Sequence, residues 1–157
     1  APDWAKNPLA VVLTSRLPEP GADVTLVRQR PAQTIFLTDA AAAASETAAG
    51  LRETGVRVMA VGEPGRLSLQ TAMTALRAEA GCYTVLCEGG GRLGLSLLAA
   101  GLVDEFLLFY APKILGGDDG VPICRGPGPA LMRQCKPVRD LALRRLGEDV
   151  LISGYLG

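Results

Sequence analysis

Two short stretches hold residues whose types and spacing could do chemistry. In the first, Glu88 stands directly before Gly89-Gly90-Gly91, with Arg92 and Leu93 following. A backbone stripped of Cβ atoms at a strand-to-helix turn can approach a ligand closely, and the N-H groups of the coming helix point at it. That is a phosphate or pyrophosphate site in outline, although close packing alone would also account for a glycine turn. In the second, Thr14-Ser15-Arg16 offers two hydroxyls and a guanidinium, a set that could hold a phosphate monoester. A hydroxyl-rich turn with an exposed arginine is the plainer reading of those three residues. The chain contains no histidine, which removes the usual general acid-base and the Ser-His and Cys-His nucleophile systems. Any chemistry must come from carboxylates, lysine or a bound cofactor.

The elements around these stretches set their positions. Tyr83-Thr84-Val85-Leu86-Cys87 reads as a buried strand that ends on Glu88. A helix follows from about Arg92 to Ala100 and is closed by Gly101. Phe106-Leu107-Leu108-Phe109-Tyr110 reads as a second buried strand, parallel to the first, leading into the glycine loop at Gly116-Gly117. Upstream, Leu9 to Leu13 is a buried strand ending at Thr14, after an irregular lead-in from Ala1 to Pro8. Pro18, Pro20 and Gly21 force an extended loop. Val24 to Val27 and Thr34 to Leu37 read as short strands. Thr38 or Asp39 caps a helix over the alanine run Ala40 to Ala44 and onward, with Gly50 able to interrupt it. Val56 to Ala60 is a strand, Gly62 to Gly65 a turn, and Ser68 caps a helix through about Ala80 that Gly81 ends. Pro122 to Pro129 is expected on the surface. Asp140 to Arg145 and Val150 to Tyr155 make a terminal antiparallel hairpin. The pattern implies one α/β domain over residues 1–157, a mixed sheet flanked by helices.

Composition excludes several classes. Sixteen basic residues balance sixteen acidic ones, and no basic run with interleaved aromatics supports nucleic-acid binding. Apolar stretches are too short to span a membrane, and the first residues do not read as a secretion signal. Cys82, Cys87, Cys124 and Cys135 lack metal-like pairing, and without histidine a zinc site is not expected. They read as reduced, mostly buried thiols of a cytoplasmic protein.

Cys87-Glu88-Gly89-Gly90-Gly91, Leu97 to Glu105 (LLAAGLVDE) and Ala111-Pro112-Lys113-Ile114-Leu115-Gly116-Gly117 occur in that order and spacing. Together they resemble the reductase domain of bacterial riboflavin biosynthesis, the C-terminal half of the bifunctional deaminase-reductase. The resemblance extends more weakly from Asn7 to the C-terminus. It implies a dihydrofolate reductase-like fold with a mostly parallel central sheet, the use of NADPH, and a homodimer. It also implies reduction of the ribose of 5-amino-6-(5-phosphoribosylamino)uracil to the ribitylamino product. On the same basis Gly89, Gly90, Gly91, Arg92 and Leu93 would border the cofactor pyrophosphate. Thr14 and Ser15 would lie near its 2′-phosphate, and Glu88 would orient the substrate, unless its carboxylate merely caps the glycine turn. Asp104 and Glu105 are taken as structural, with Asp104 satisfying turn N-H groups. Lys113 is taken as a solvated loop residue.

The family carries a first strand, a Ser-Leu-Asp-Gly segment and a Gly-x-x-Thr-x-x-x-Asp-x-Pro stretch ahead of the matching residues, and none of these is found here. In the family that strand lies between the equivalents of Tyr83–Cys87 and Phe106–Tyr110. Leaving it out exposes unpaired backbone groups, each costing on the order of 1–3 kcal/mol if buried unsatisfied. The chain is therefore expected to be a fragment of a longer reductase. Direct pairing of the two flanking strands, or a strand supplied by a partner chain, are the alternatives.

Overall fold

Thr34–Thr38 (β2) is buried along its whole length, and its alternation explains the first half of the molecule. In the computed structural model, which describes residues 8–117 and 119–156, β2 lies between Ala10–Leu13 (β1) and Arg57–Ala60 (β3). All three strands are parallel. Phe36 points to one face, where it joins Val27, Ala43, Ala48, Leu51, Val56 and Val58. Ile35 and Leu37 point to the other and pack with Val61, Ala72, Ala75 and Leu76. A strand covered on both faces carries apolar residues in an unbroken run, as Ile35-Phe36-Leu37 does.

The helices on these faces follow from local chemistry. Asp39, not Thr38, caps Ala40–Ala43 (α2), its carboxylate accepting from the Ala41 and Ala42 N-H groups. The alanine helix then breaks at Ser45, not at Gly50. The Ser45 hydroxyl donates to the Ala42 carbonyl and accepts from the Ala48 N-H, so it starts Glu46–Glu53 (α3). Gly50 lies inside α3, where a Cβ would stand 2.6 Å from Pro20 Cγ. Its missing side chain makes room for the proline loop. Gly62–Glu63 (β4) and Arg66–Leu67 (β5) form a small hairpin. Ser68 caps Leu69–Glu79 (α4) by accepting from the Thr71 N-H, and Gly81 follows with φ +67°.

One expected strand is a helix. Residues Thr25–Gln29 (α1) form a single turn, closed by Arg28 N-H to Val24 O and Arg30 N-H to Leu26 O at 3.0 Å each. The Thr34 hydroxyl donates to the Leu26 and Arg30 carbonyls, each of which also accepts a backbone N-H. Coiling buries Val27 against the Phe36 cluster without requiring a neighbouring strand. Burial outweighed the β preference of the two valines.

The chain divides into two compact units, Ala1–Tyr83 and Thr84–Gly157. In the second, Gly91–Ala99 (α5) is followed by Glu105–Tyr110 (β6), and the hairpin Val138–Leu146 (β7) and Asp149–Leu156 (β8) completes it. The three strands form an antiparallel sheet in the order β6-β8-β7. Gly147, at φ +67°, opens the hairpin turn. Three expectations fail in or beside this unit. Tyr83–Cys87 forms no strand, and Tyr83 and Leu86 are 81% and 71% exposed. An isolated extended run has no partner for its N-H and C=O groups, so apolar β-favouring residues do not suffice. β6 forms as expected but is not buried: Leu107, Phe109 and Tyr110 are exposed. Its ladder partner among the described residues is β8, and Tyr83–Cys87 forms no strand, so direct pairing of Tyr83–Cys87 with Phe106–Tyr110 is not what the chain adopts. The cysteines are free but not mostly buried, since Cys87, Cys124 and Cys135 are exposed and Cys82 half-buried.

Candidate functional site

The glycine run acts differently at each position. Gly90 is the N-cap of α5, with φ −66° and ψ 168°, and supplies no side-chain cap. Its carbonyl accepts from the Leu93 and Gly94 N-H groups at 3.0 and 3.2 Å. The N-H groups of Gly91 and Arg92 have no acceptor among the described residues, as at any helix start left uncapped. A Cβ on Gly90 would meet nothing within 4 Å. A Cβ on Gly89 would touch only the flexible end of Leu93, at 2.8 Å from Cδ2.

Gly91 is different. A Cβ there would collide with the Pro122 carbonyl and lie 2.9 Å from Ile123 O. The Gly91 carbonyl accepts from the Arg125 N-H at 3.1 Å. The 122–125 segment is thus docked on the start of α5, and Gly91 is the residue that lets it approach. The sequence places this stretch on the surface, which holds, but its role in fixing the helix start is not legible there. The contact is between backbones, and no side-chain pattern announces it.

The electrostatics at this end of α5 favour an anion. The first turn contains no acidic residue, and exposed Arg92 lies where the helix dipole is already positive. A negative group over Gly90 would satisfy the free N-H groups and relieve that like-charge arrangement. Leu93 is half-buried at the same turn, and Leu97 is buried one turn on.

Glu88 is exposed and its carboxylate takes no hydrogen bond from the glycine turn among the described residues. The capping role considered for it is not made, so the carboxylate is left facing solvent, where it can meet a polar ligand. Thr14 and Ser15 belong to the other unit and follow β1. The Thr14 hydroxyl donates to the Arg16 carbonyl at 2.9 Å and accepts from the Arg16 N-H at 3.1 Å, which closes a local turn. That is the plainer of the two readings for Thr14. Ser15 and Arg16 are exposed and their side chains have no partner among the described residues, so they remain available to a phosphate.

Asp104 is exposed, and its backbone carbonyl, not its carboxylate, makes the local bond, accepting from the Leu156 N-H at 2.8 Å. Lys113 is exposed in its loop. The Asp39 carboxyl has a lowered affinity for protons. The Ala42 N-H holds it below its ordinary 3.8, burial opposes the shift, and the Gly65 and Ala41 N-H groups add to it. This is a structural cap in the first unit. Among the described residues no group of three or more Cys, Asp or Glu could hold a metal ion, and no helix is long and apolar enough to cross a membrane.

Residues 1–152 match the family model described as the RibD C-terminal domain. A riboflavin biosynthesis protein RibD from Synechocystis is 30% identical over 150 residues, covering 96% of this chain and 39% of the relative. A 2,5-diamino-6-ribosylamino-4(3H)-pyrimidinone 5′-phosphate reductase from Archaeoglobus fulgidus is 30% identical over 88 residues, 56% of this chain and 37% of the relative. The solved structure of Acinetobacter baumannii RibD superposes with a TM-score of 0.72 at 23% identity, over 94% of this chain and 37% of that one. This likeness bears out the expected α/β fold of the dihydrofolate reductase-like class. The chain spans about two fifths of the length of the curated RibD relatives it matches.

Proposed function

The chain belongs to the RibD C-terminal domain family, and from that premise we propose that it is the NADPH-binding part of a pyrimidine reductase of riboflavin biosynthesis. The observation that carries this reading is the start of α5, where Gly90 leaves open space beside Arg92 and two N-H groups that have no acceptor among the described residues. Those features fit an anionic pyrophosphate. NADPH, when bound, supplies the hydride for reduction of the substrate's open-chain ribose carbon, and the protein's part is to bind and orient.

In this reading Gly89 and Gly90 admit the pyrophosphate to the backbone. The Gly91 and Arg92 N-H groups and the Arg92 guanidinium neutralise it, and Leu93 packs beside it. Ser15, with Arg16 next to it, takes the 2′-phosphate of the adenosine ribose. Thr14 keeps its turn and shapes the backbone there, a narrower role than direct contact. Glu88 hydrogen-bonds the substrate and fixes its orientation. The substrate is 5-amino-6-(5-phosphoribosylamino)uracil, as in the deaminase-reductases. The name of the Archaeoglobus relative favours a second, closely related one, a 2,5-diamino-6-ribosylamino-pyrimidinone phosphate. The enzyme works as a cytoplasmic homodimer.

Titrating NADPH while following its fluorescence tests the cofactor site. Gly90→Val is expected to abolish saturable binding and leave the far-UV circular dichroism spectrum unchanged, because its Cβ meets no protein atom. Gly91→Val is expected to destabilise the second unit by about 1–3 kcal/mol, through the clash with the 122–125 segment. Unchanged NADPH affinity in Gly90→Val removes the pyrophosphate assignment. Binding by the chain without turnover of either pyrimidine selects a nucleotide-binding module, whose catalysis needs further sequence of the full-length protein.

A further inference from the structure

The proline-rich segment after the Gly116-Gly117 loop is held against α5 at two points, one helical turn apart. At the first, the Arg125 N-H donates to the Gly91 carbonyl at 3.1 Å, in the space that the absent Gly91 side chain leaves. At the second, Gly126 lies against Leu95, where an added Cβ would stand 2.9 Å from Cδ2, and its φ of +147° is one that only glycine adopts readily. Gly91 and Leu95 are four residues apart and share a face of the helix. Pro122, Pro127 and Pro129 restrict the backbone on either side of these contacts. Arg125 therefore has its backbone fixed beside the first turn of α5, while its side chain is exposed and has no hydrogen-bond or ion-pair partner among the described residues.

The charges here are one-sided. Between Asp119 and Asp140 the chain carries Arg125, Arg133, Lys136 and Arg139 and no carboxylate. The first turn of α5 likewise holds Arg92 and no acid. Two guanidiniums at the positive end of a helix dipole oppose it and each other until an anion arrives. We propose that Arg125 is a second cationic arm of the α5 site, meeting a diphosphate from the loop side while Arg92 and the Gly91 and Arg92 N-H groups hold it from the helix side. This rests on the reading of the α5 start as the pyrophosphate site. The N-H groups of a helix start suffice for one phosphate. A guanidinium from a separate segment suits the neighbouring phosphate, whose oxygens its planar fork can take in pairs. Because the arm's backbone is already in place, binding has only the side chain to order.

NADPH titrations on the 157-residue chain, repeated over a series of potassium chloride concentrations, test this. Arg125→Gln is expected to weaken NADPH binding about tenfold, the loss of one charge-assisted contact, and to flatten its dependence on salt. Its far-UV circular dichroism spectrum should not change, since the Gly91 carbonyl is met by the Arg125 backbone and not its side chain. Arg125→Lys is expected to restore the salt dependence and part of the affinity. Arg133→Gln, at an exposed cation outside the docked segment, should leave both unchanged. Inorganic pyrophosphate should displace NADPH from the wild type at lower concentration than inorganic phosphate does, and Arg125→Gln should shrink that advantage. If the wild type binds NADPH, Gly90→Val does not, and Arg125→Gln matches the wild type in affinity and salt dependence, the arm is overturned while the pyrophosphate site stands. An equal loss in Arg133→Gln overturns it too, by reducing the effect to general charge. A wild type that does not bind NADPH removes the pyrophosphate reading itself, and the arm with it.

Discussion

Thr34-Ile35-Phe36-Leu37-Thr38 and Glu105-Phe106-Leu107-Leu108-Phe109-Tyr110 are alike as sequences, short apolar runs rich in β-favouring side chains. They have opposite surroundings. β2 has a hydrogen-bonded strand on each side and helices over both faces, and no residue in it is exposed. Among the described residues β6 has one neighbouring strand, and four of its six residues are exposed. The contrast extends to Tyr83–Cys87, which has no neighbouring strand among the described residues and does not become one. An apolar β-favouring run states a need for partners. Whether it is a core strand, an edge or an irregular segment depends on how many partners the chain supplies.

The largest expected effect breaks that comparison directly. Phe36→Ala removes a buried ring from the first cluster and is expected to cost about 3–5 kcal/mol. Phe109→Ala, at the corresponding kind of residue in β6, should cost a small fraction of that in dilute protein. Chemical denaturation of both variants measures the difference, and equal losses would mean that β6 is buried in solution. Next in size, Asp39→Ala removes the cap of α2 and is expected to lower the unfolding midpoint of the first unit by an intermediate amount. Its folded pKa is depressed, so its contribution is present above the ordinary value of 3.8 and is lost as pH falls through the folded value. The midpoints of the wild type and Asp39→Ala should therefore converge on acidification, which a pH series of thermal melts will show. The smallest effect is expected for Asp104→Asn. Its carboxylate makes no hydrogen bond among the described residues, so stability should stay within about 0.5 kcal/mol, and NADPH affinity should not change.

Much of the first unit was legible from residues alone. Thr34 to Leu37 reads as a strand from its apolar run, and Asp39, Ser68 and Gly81 mark helix ends by chemistry that acts within a few residues. Val24–Val27 was misread because a four-residue run has too few positions to separate a period of two from one of 3.6. In the second unit the glycine turn, the helix behind it, Gly101 and the terminal hairpin were equally readable, and so was the family resemblance. What was not readable was the division of labour within Gly89-Gly90-Gly91. In sequence the three are identical; in space one faces a neighbouring backbone and another faces open solvent.

The sequence by itself determined several elements, among them β2, α4, α5 and the terminal hairpin, the helix starts at Asp39 and Ser68, and that a glycine turn with Glu88 before it and Arg92 behind it could meet a phosphate. These are local properties, decided by side-chain shape, backbone freedom and nearby hydrogen bonds. Only the tertiary structure decided that Gly91 serves the 122–125 segment while Gly90 is open, that Thr14 spends its hydroxyl on its own turn, and that β6 is an exposed edge. Each depends on which distant backbone comes alongside, and the hydrogen bonds and close contacts that result leave no pattern in the order of residues.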